Sequence, residues 1–253
     1  MKTLKKNTRP TLLLLCLTLL SGNSLLGQVR VYDIPLDSIK QYVIDNPEYL
    51  TQVNQKTIHP DTIITTEEYF YLYYGSAYLQ GYAPYLERSS TIVPYEFLNQ
   101  EKYKEAIDIC KSQIIANPGF VRPFYFLGVA YEQLGDTISA QKFYKRFYDF
   151  LSIPYYSGTG NSADSAFVVR SIDDEYIIVG ELGLESESQA LIFENDIPFD
   201  ILYVRTQNDT IPQEMYFNIT QPYLLGLGLK SEKEDNKKDE KKPRKDKNKK
   251  SKD

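Results

Sequence analysis

One histidine, two cysteines and no tryptophan leave few side chains in these 253 residues that could do chemistry. A single imidazole, His59 in Ile58-His59-Pro60, rules out His-rich metal sites and most proton shuttles. Zinc, held by sets of Cys and His, is not expected, and His59 reads as a loop residue. Cys110 shares a helix face with Ile107 and Ile114, where apolar burial keeps a thiol protonated and inert. Ser157-Gly158-Thr159-Gly160-Asn161-Ser162 has the composition of a phosphate cradle, but such loops follow a strand and open a helix. This one follows helical sequence and enters strand sequence, so it reads as a turn. Asp173-Asp174-Glu175 offers three carboxylates in a row. Calcium loops alternate their ligands around a glycine, and neighbours on an extended segment point to opposite faces. The tripeptide therefore reads as a charge cluster at a strand edge. No catalytic, cofactor-binding or metal-binding residue is assigned; the expectation is a protein that is not an enzyme and uses no cofactor.

The tyrosines are the remaining chemistry. Of 22 in the chain, five fall in YYGSAYLQGYAPY, residues 73–85. Tyrosine combines a rigid aromatic face with a polar edge, which suits sugar and peptide sites as well as core. Thr65-Thr66-Glu67-Glu68 forms a capping-box signature, so a helix is expected from Thr66 to about Leu79, ending near Gly81. Tyr69, Leu72, Tyr73, Ser76 and Ala77 share one face of it, while Phe70, Tyr71, Tyr74 and Tyr78 occupy the rest. A helix aromatic nearly all round is sandwiched between neighbours. Only Tyr82 and Tyr85, beyond Gly81, are left as candidate ligand contacts.

Two kinds of element must hold these residues. Up to about Tyr156 the apolar spacing is helical, and beyond it apolar residues alternate or form short runs between turns. A short helix is expected from a cap at Asp37 to a break at Asn46-Pro47. In residues 123–151, Phe124, Leu127, Gly128, Tyr131, Ala140 and Tyr144 follow the tetratricopeptide pattern, with Phe for Trp and Tyr for Phe. Gly128 and Ala140 are small where two helices must approach. A shift of 34 residues from Ala140 leads to Ala106 in EKYKEAIDICKSQIIANP, which makes about one and a half tetratricopeptide-like repeats. Strands are expected at 166–171, 176–181, 189–193, 199–205 and 215–219. The fold class is therefore α+β, with N-terminal helices packed on a C-terminal antiparallel β-meander. Residues 28–156 form the helical part and 157–229 the meander part of the same domain.

The ends of the chain carry its address. Lys2, Lys5, Lys6 and Arg9 precede an apolar run from Leu12 to Leu20, too short to span a bilayer, which takes ~20 residues. Residues 1–27 read as a secretory signal peptide, cleaved after Gly27 or at Ser24. The mature chain is then exported, to the periplasm or beyond, with no transmembrane helix. It keeps Cys110 as its one thiol and has no disulfide to form. Residues 28–229 carry 13 Lys and Arg against 27 Asp and Glu, whereas 230–253 carry 12 against 7. That tail has no apolar residue but Pro243 and is expected to be disordered.

Pro60-Asp61-Thr62-x-x-Thr65-x-Glu67-Glu68-Tyr69-x-x-Leu72-Tyr73-Tyr74-Gly75 is followed by Gly81-Tyr82-x-Pro84-Tyr85. Further on come Gly158-Thr159-Gly160-Asn161-Ser162 and Asp174-Glu175-Tyr176. In this order the motifs resemble a domain-of-unknown-function family of secreted proteins from Bacteroidetes-type bacteria, over roughly residues 35 to 222. The resemblance implies export and this architecture, and supplies no catalytic residue. For such bacteria it also implies O-glycosylation at Asp followed by Ser or Thr and a small or aliphatic residue. The triplets stand at 37–39, 61–63, 136–138, 164–166 and 209–211. Caps and turns explain Asp37 and Asp136, so Thr62 and Thr210 are the candidate acceptors. The functional expectation is a contact with an unknown protein partner in the cell envelope, made through the helical-repeat region. The alternative is a module that binds glycan or a polyanion through the tyrosine segment or the basic tail. No nucleic-acid signature is present.

Overall fold

The computed structural model describes residues 34–228. The expected signal peptide and the Lys-rich tail lie outside them. Helices come first and a four-stranded sheet follows, an α+β order as expected. The helices are α1 Leu36–Asp45, α2 Tyr49–Thr57, α3 Thr66–Gly75, α4 Glu87–Ser90, α5 Ile92–Asn99, α6 Tyr103–Ala116, α7 Arg122–Gln133 and α8 Thr137–Tyr155. After them come β1 Phe167–Val168, α9 Ile172–Glu181, β2 Glu185–Glu194, β3 Ile197–Arg205, β4 Gln213–Asn218 and α10 Thr220–Gly226.

Local chemistry sets the ends of these elements. Thr65 accepts from the Glu68 amide at 3.1 Å while the Glu68 carboxylate accepts from the Thr65 amide at 2.9 Å, so the capping box closes. The α3 helix ends at Gly75 and yields to a 3-10 turn at Ser76–Tyr78, so the expected helix to about Leu79 is not continuous. Asp136 caps α8 by accepting from the Ser139 amide at 3.0 Å. Asp37 does not cap α1; it lies in the first turn behind Pro35, which has no side-chain acceptor.

Aromatic packing joins the helices. Leu72, Tyr73 and Tyr74 of α3 are fully buried, and α3 packs on α1, α2 and α8, the sandwiched position its aromatic girdle demands. Phe124 of α7 stacks on Phe150 of α8 at 5.1 Å, and Tyr131 on Phe143 at 5.3 Å. Gly128 lets these helices approach: a Cβ there would lie 2.5 Å from the Tyr144 ring. Cys110 is buried against the same cluster, and burial pushes its thiol up to about 12.

The sheet order is β1-β4-β3-β2. Strands β2, β3 and β4 form an antiparallel meander, with Ala190 opposite Ile201 and Ile201 opposite Tyr216. Two expectations are corrected here. Residues 166–171 contain only the two-residue β1, which pairs parallel to β4. Residues 176–181 are not a strand at all but the second half of α9. The run Tyr176-Ile177-Ile178-Val179 is equally compatible with both periods over so short a length, and the start signal decides. Ser171 accepts from the Asp174 amide and the Asp174 carboxylate accepts from the Ser171 amide, a capping box that opens a helix. One core runs through both halves, from Leu72 and Phe124 to Val169, Ile178, Leu202 and Phe217.

Candidate functional site

The motif segments quoted above are far apart in sequence and meet at the seam between helices and sheet. Tyr73 donates to the Asp174 carboxylate at 2.7 Å across 101 residues, and Tyr74 donates to the Val168 carbonyl at 3.1 Å. Between them lies Arg170, with no exposed surface. Its Nε donates to Ser76 at 2.6 Å, one Nη to Glu87 at 2.5 Å and the other to the side-chain oxygen of Asn117. Asn117 in turn donates to the same Glu87 oxygen at 2.7 Å. A planar guanidinium holds several acceptors in one plane, a geometry that the tetrahedral ammonium of lysine does not offer. Gly119 supplies the room: its φ is +79°, and a Cβ would lie 2.7 Å from the Ser76 hydroxyl.

Acidity at this node is unusual for side chains so deep. Asp173 is paired bidentately with Arg122, both contacts 2.8 Å. Burial, with the Glu87 charge next, pushes the Asp174 carboxyl up to about 7. Glu175 is completely buried and neither of its oxygens has a hydrogen-bond partner. The Asp173-Asp174-Glu175 run is thus no strand-edge charge cluster, and this is a further correction. It is the buried first turn of α9, where carboxylates also meet the positive end of the helix dipole. The strand reading concealed this, although the Ser171-x-x-Asp174 signature was there to read. Arg170 and Glu87 carried no sequence signal of their own.

Tyr82 and Tyr85 part company. The Tyr82 hydroxyl donates to the Arg170 carbonyl, and its ring lies 5.3 Å from the Arg170 guanidinium carbon. It also lines an open cleft of about 370 Å³ with Lys40, Ile44, Tyr78, Leu79 and Leu225. Tyr78 donates its hydroxyl to the Leu36 carbonyl at 3.1 Å, so both tyrosine hydroxyls are engaged by backbone carbonyls. Tyr85 lies outside that lining and is 44% exposed.

A second recess, about 290 Å³, lies between α5, α6 and α7. Tyr95, Tyr103 and Tyr125 line it with Leu98, Phe126 and Val129, and Asn99 and Gln133 add amides at its rim. Tyr95 is 56% exposed and Tyr125 40%. Sequence reasoning placed Tyr103 on the face of Ala106, Ile107, Cys110 and Ile114 and passed over Tyr95 and Tyr125, because the repeat pattern assigns only the inward positions of each helix. An aromatic one place off that pattern, such as Tyr125 beside Phe124, is the signal that could have found them.

The candidate acceptors also differ. Thr62 is exposed, yet its hydroxyl donates to the His59 carbonyl at 2.8 Å and accepts from Arg146 at 3.1 Å. Thr210 is exposed beside Ile211, itself 77% exposed, in the β3–β4 turn that Asp209 braces through Thr206. His59 is exposed and contributes its carbonyl to Arg146. Among the described residues no group of three or more His, Cys, Asp or Glu is arranged to hold a metal ion, and no helix is long and apolar enough to cross a membrane.

The family model described as a domain of unknown function, DUF4919, matches residues 37–224, and the chain belongs to that family. No curated protein and no solved structure matches it.

Proposed function

We propose that this member of the DUF4919 family is an exported, non-enzymatic module that contacts another protein of the cell envelope through its helical part. The observation that carries the reading is the α5–α7 recess, where Tyr95, Tyr103 and Tyr125 stand with apolar anchors on a surface that the described residues leave open. The tetratricopeptide-like spacing of residues 101–151 supports it, since paired helices of that kind present such faces. Tyrosine hydroxyls beside Asn99 and Gln133 combine rigid contact area with hydrogen bonding, as polypeptide-binding surfaces do. Residues 28–229 hold 13 basic side chains against 27 acidic ones. The partner segment is therefore apolar at its centre and flanked by Lys or Arg.

Photo-crosslinking residues placed at Tyr95 and Tyr125 test this in cells exporting the full chain. The same protein adduct is expected at both, joined through a basic-flanked apolar segment, with none from a control position at Ile211. Absence of an adduct at the recess, or an equal one at Ile211, overturns the reading. A polysaccharide adduct would do the same.

A second reading, an envelope module for glycan or polyanion, draws support from the Tyr82-lined cleft beside Lys40 and from exposed Tyr85. Tyr82→Ala would also disturb Arg170, so Tyr85→Ala and removal of residues 230–253 are the cleaner variants. Retention on an anionic glycan matrix unchanged by both would sink it.

A further inference from the structure

Glu175 is a carboxyl group with no exposed surface and two oxygens without partners. Buried polar groups are nearly always hydrogen-bonded, and an ionised carboxylate without a cation is the costliest exception. The groups around it offer no relief. Asp200 of β3, 5% exposed, acts on it most strongly, followed by Asp174 of α9. Tyr85, from the loop before α4, feels both Asp200 and Glu175, and also Tyr223 of α10. Arg170 is committed to Glu87, Arg122 to Asp173 and Arg88 to the face of Tyr176, 4.0 Å away. Burial and the two carboxylates push Glu175 well above its ordinary range, and burial pushes Asp200 up as well.

Helix α10 packs on β3, the strand that carries Asp200, and on the loop that carries Tyr85. Gly226 of α10 meets the loop so closely that a Cβ would lie 2.6 Å from Pro84 and 2.9 Å from the Tyr85 ring. Gln221 donates to the Tyr74 carbonyl at 2.8 Å, and the Tyr223 ring stands edge-on to Phe193 at 5.3 Å. Leu225 then forms one wall of the Tyr82 cleft, while Gly81 and Tyr82 form another. Whatever seats α10 on the loop also shapes that cleft.

We propose that Glu175 and Asp200 form a buried proton-binding pair that latches α10: carrying a proton, the pair lets α10 close on Pro84 and Tyr85. When both acids ionise, mutual repulsion and their demand for water unseat α10 and widen the cleft. The direction follows from linkage. Closure holds the acids protonated above their ordinary values, so the closed form is favoured at low pH. It loses ground as pH rises above the ordinary glutamate value of 4.5. This inference does not depend on the α5–α7 recess, and its test leaves that reading untouched.

Hydrogen exchange of the full chain, corrected for the intrinsic effect of pH, tests the latch. Protection of residues 219–228 is expected to fall about tenfold or more as pH rises from the ordinary glutamate value of 4.5 into the alkaline range, while α7 stays constant. In Glu175→Gln and in Asp200→Asn the same segment should hold its protection within about twofold. A carboxyl-carbon NMR titration of the unsubstituted chain should show one glutamate titrating well above the ordinary range. This keeps the proposal testable if either variant folds poorly. Protection of 219–228 that ignores pH, a pH slope unchanged in both variants, or glutamates that all titrate in the ordinary range would each overturn the latch.

Discussion

Arg170, just ahead of α9, shows how much one side chain can bind together, because the 3-10 turn after α3, α4 and the end of α6 all depend on its three donor directions. A buried ion pair adds little over an apolar replacement, but removing one partner strands the other and costs about 3–5 kcal/mol. Arg170→Ala should lose that much in urea denaturation, and Arg170→Lys should recover little of it, since an ammonium cannot serve three acceptors in one plane. Asp174 adds a pH dependence whose sign is fixed. Its folded carboxyl is raised from 3.8 to about 7, so ionisation disfavours the folded state. Stability attributable to it is greatest at low pH and declines as pH rises from the ordinary value to about 7. Denaturation profiles from pH 4 to 8 should flatten in Asp174→Asn, which retains an oxygen for Tyr73.

At the scale of elements, the α7–α8 contact depends on the absence of a side chain at position 128. Gly128→Ala puts a methyl group 2.5 Å from the Tyr144 ring. Overpacking of this kind costs about 1–3 kcal/mol. In a Tyr144→Ala background the same change should cost much less, and a double-mutant cycle reads the coupling directly. This contact was legible beforehand, because a glycine and an aromatic at that spacing have one economical arrangement. The identity of α9 was not. Its apolar run fits a strand as well as a helix, and only Ser171 reaching Asp174 separates the two.

For the whole molecule, the seam decides whether helices and sheet are one folding unit. Tyr73 and Tyr74 cross it to Asp174 and Val168, and the core is continuous on both sides. Unfolding followed by far-ultraviolet dichroism and by tyrosine fluorescence should therefore coincide. Tyr73→Phe combined with Tyr74→Phe removes both hydrogen bonds at about 1–3 kcal/mol each for the buried acceptors left behind. The two signals should then separate, with the sheet melting first. Coincident transitions in that variant would mean that apolar packing alone couples the halves.

Much of this protein is written locally. The capping box of α3, the spacing of α6 to α8, the inert position of Cys110 and the order of helices before strands follow from neighbours within a few turns of chain. Such signals act through side chains three or four residues apart. The site does not. Tyr82 faces Arg170, Asp174 meets Tyr73, and Glu175 lies buried beside Asp200 because segments some 25 to 100 residues apart converge. Burial and electrostatic environment belong to that convergence. A carboxylate run that looks solvated along the chain became, through packing, a buried group of acids.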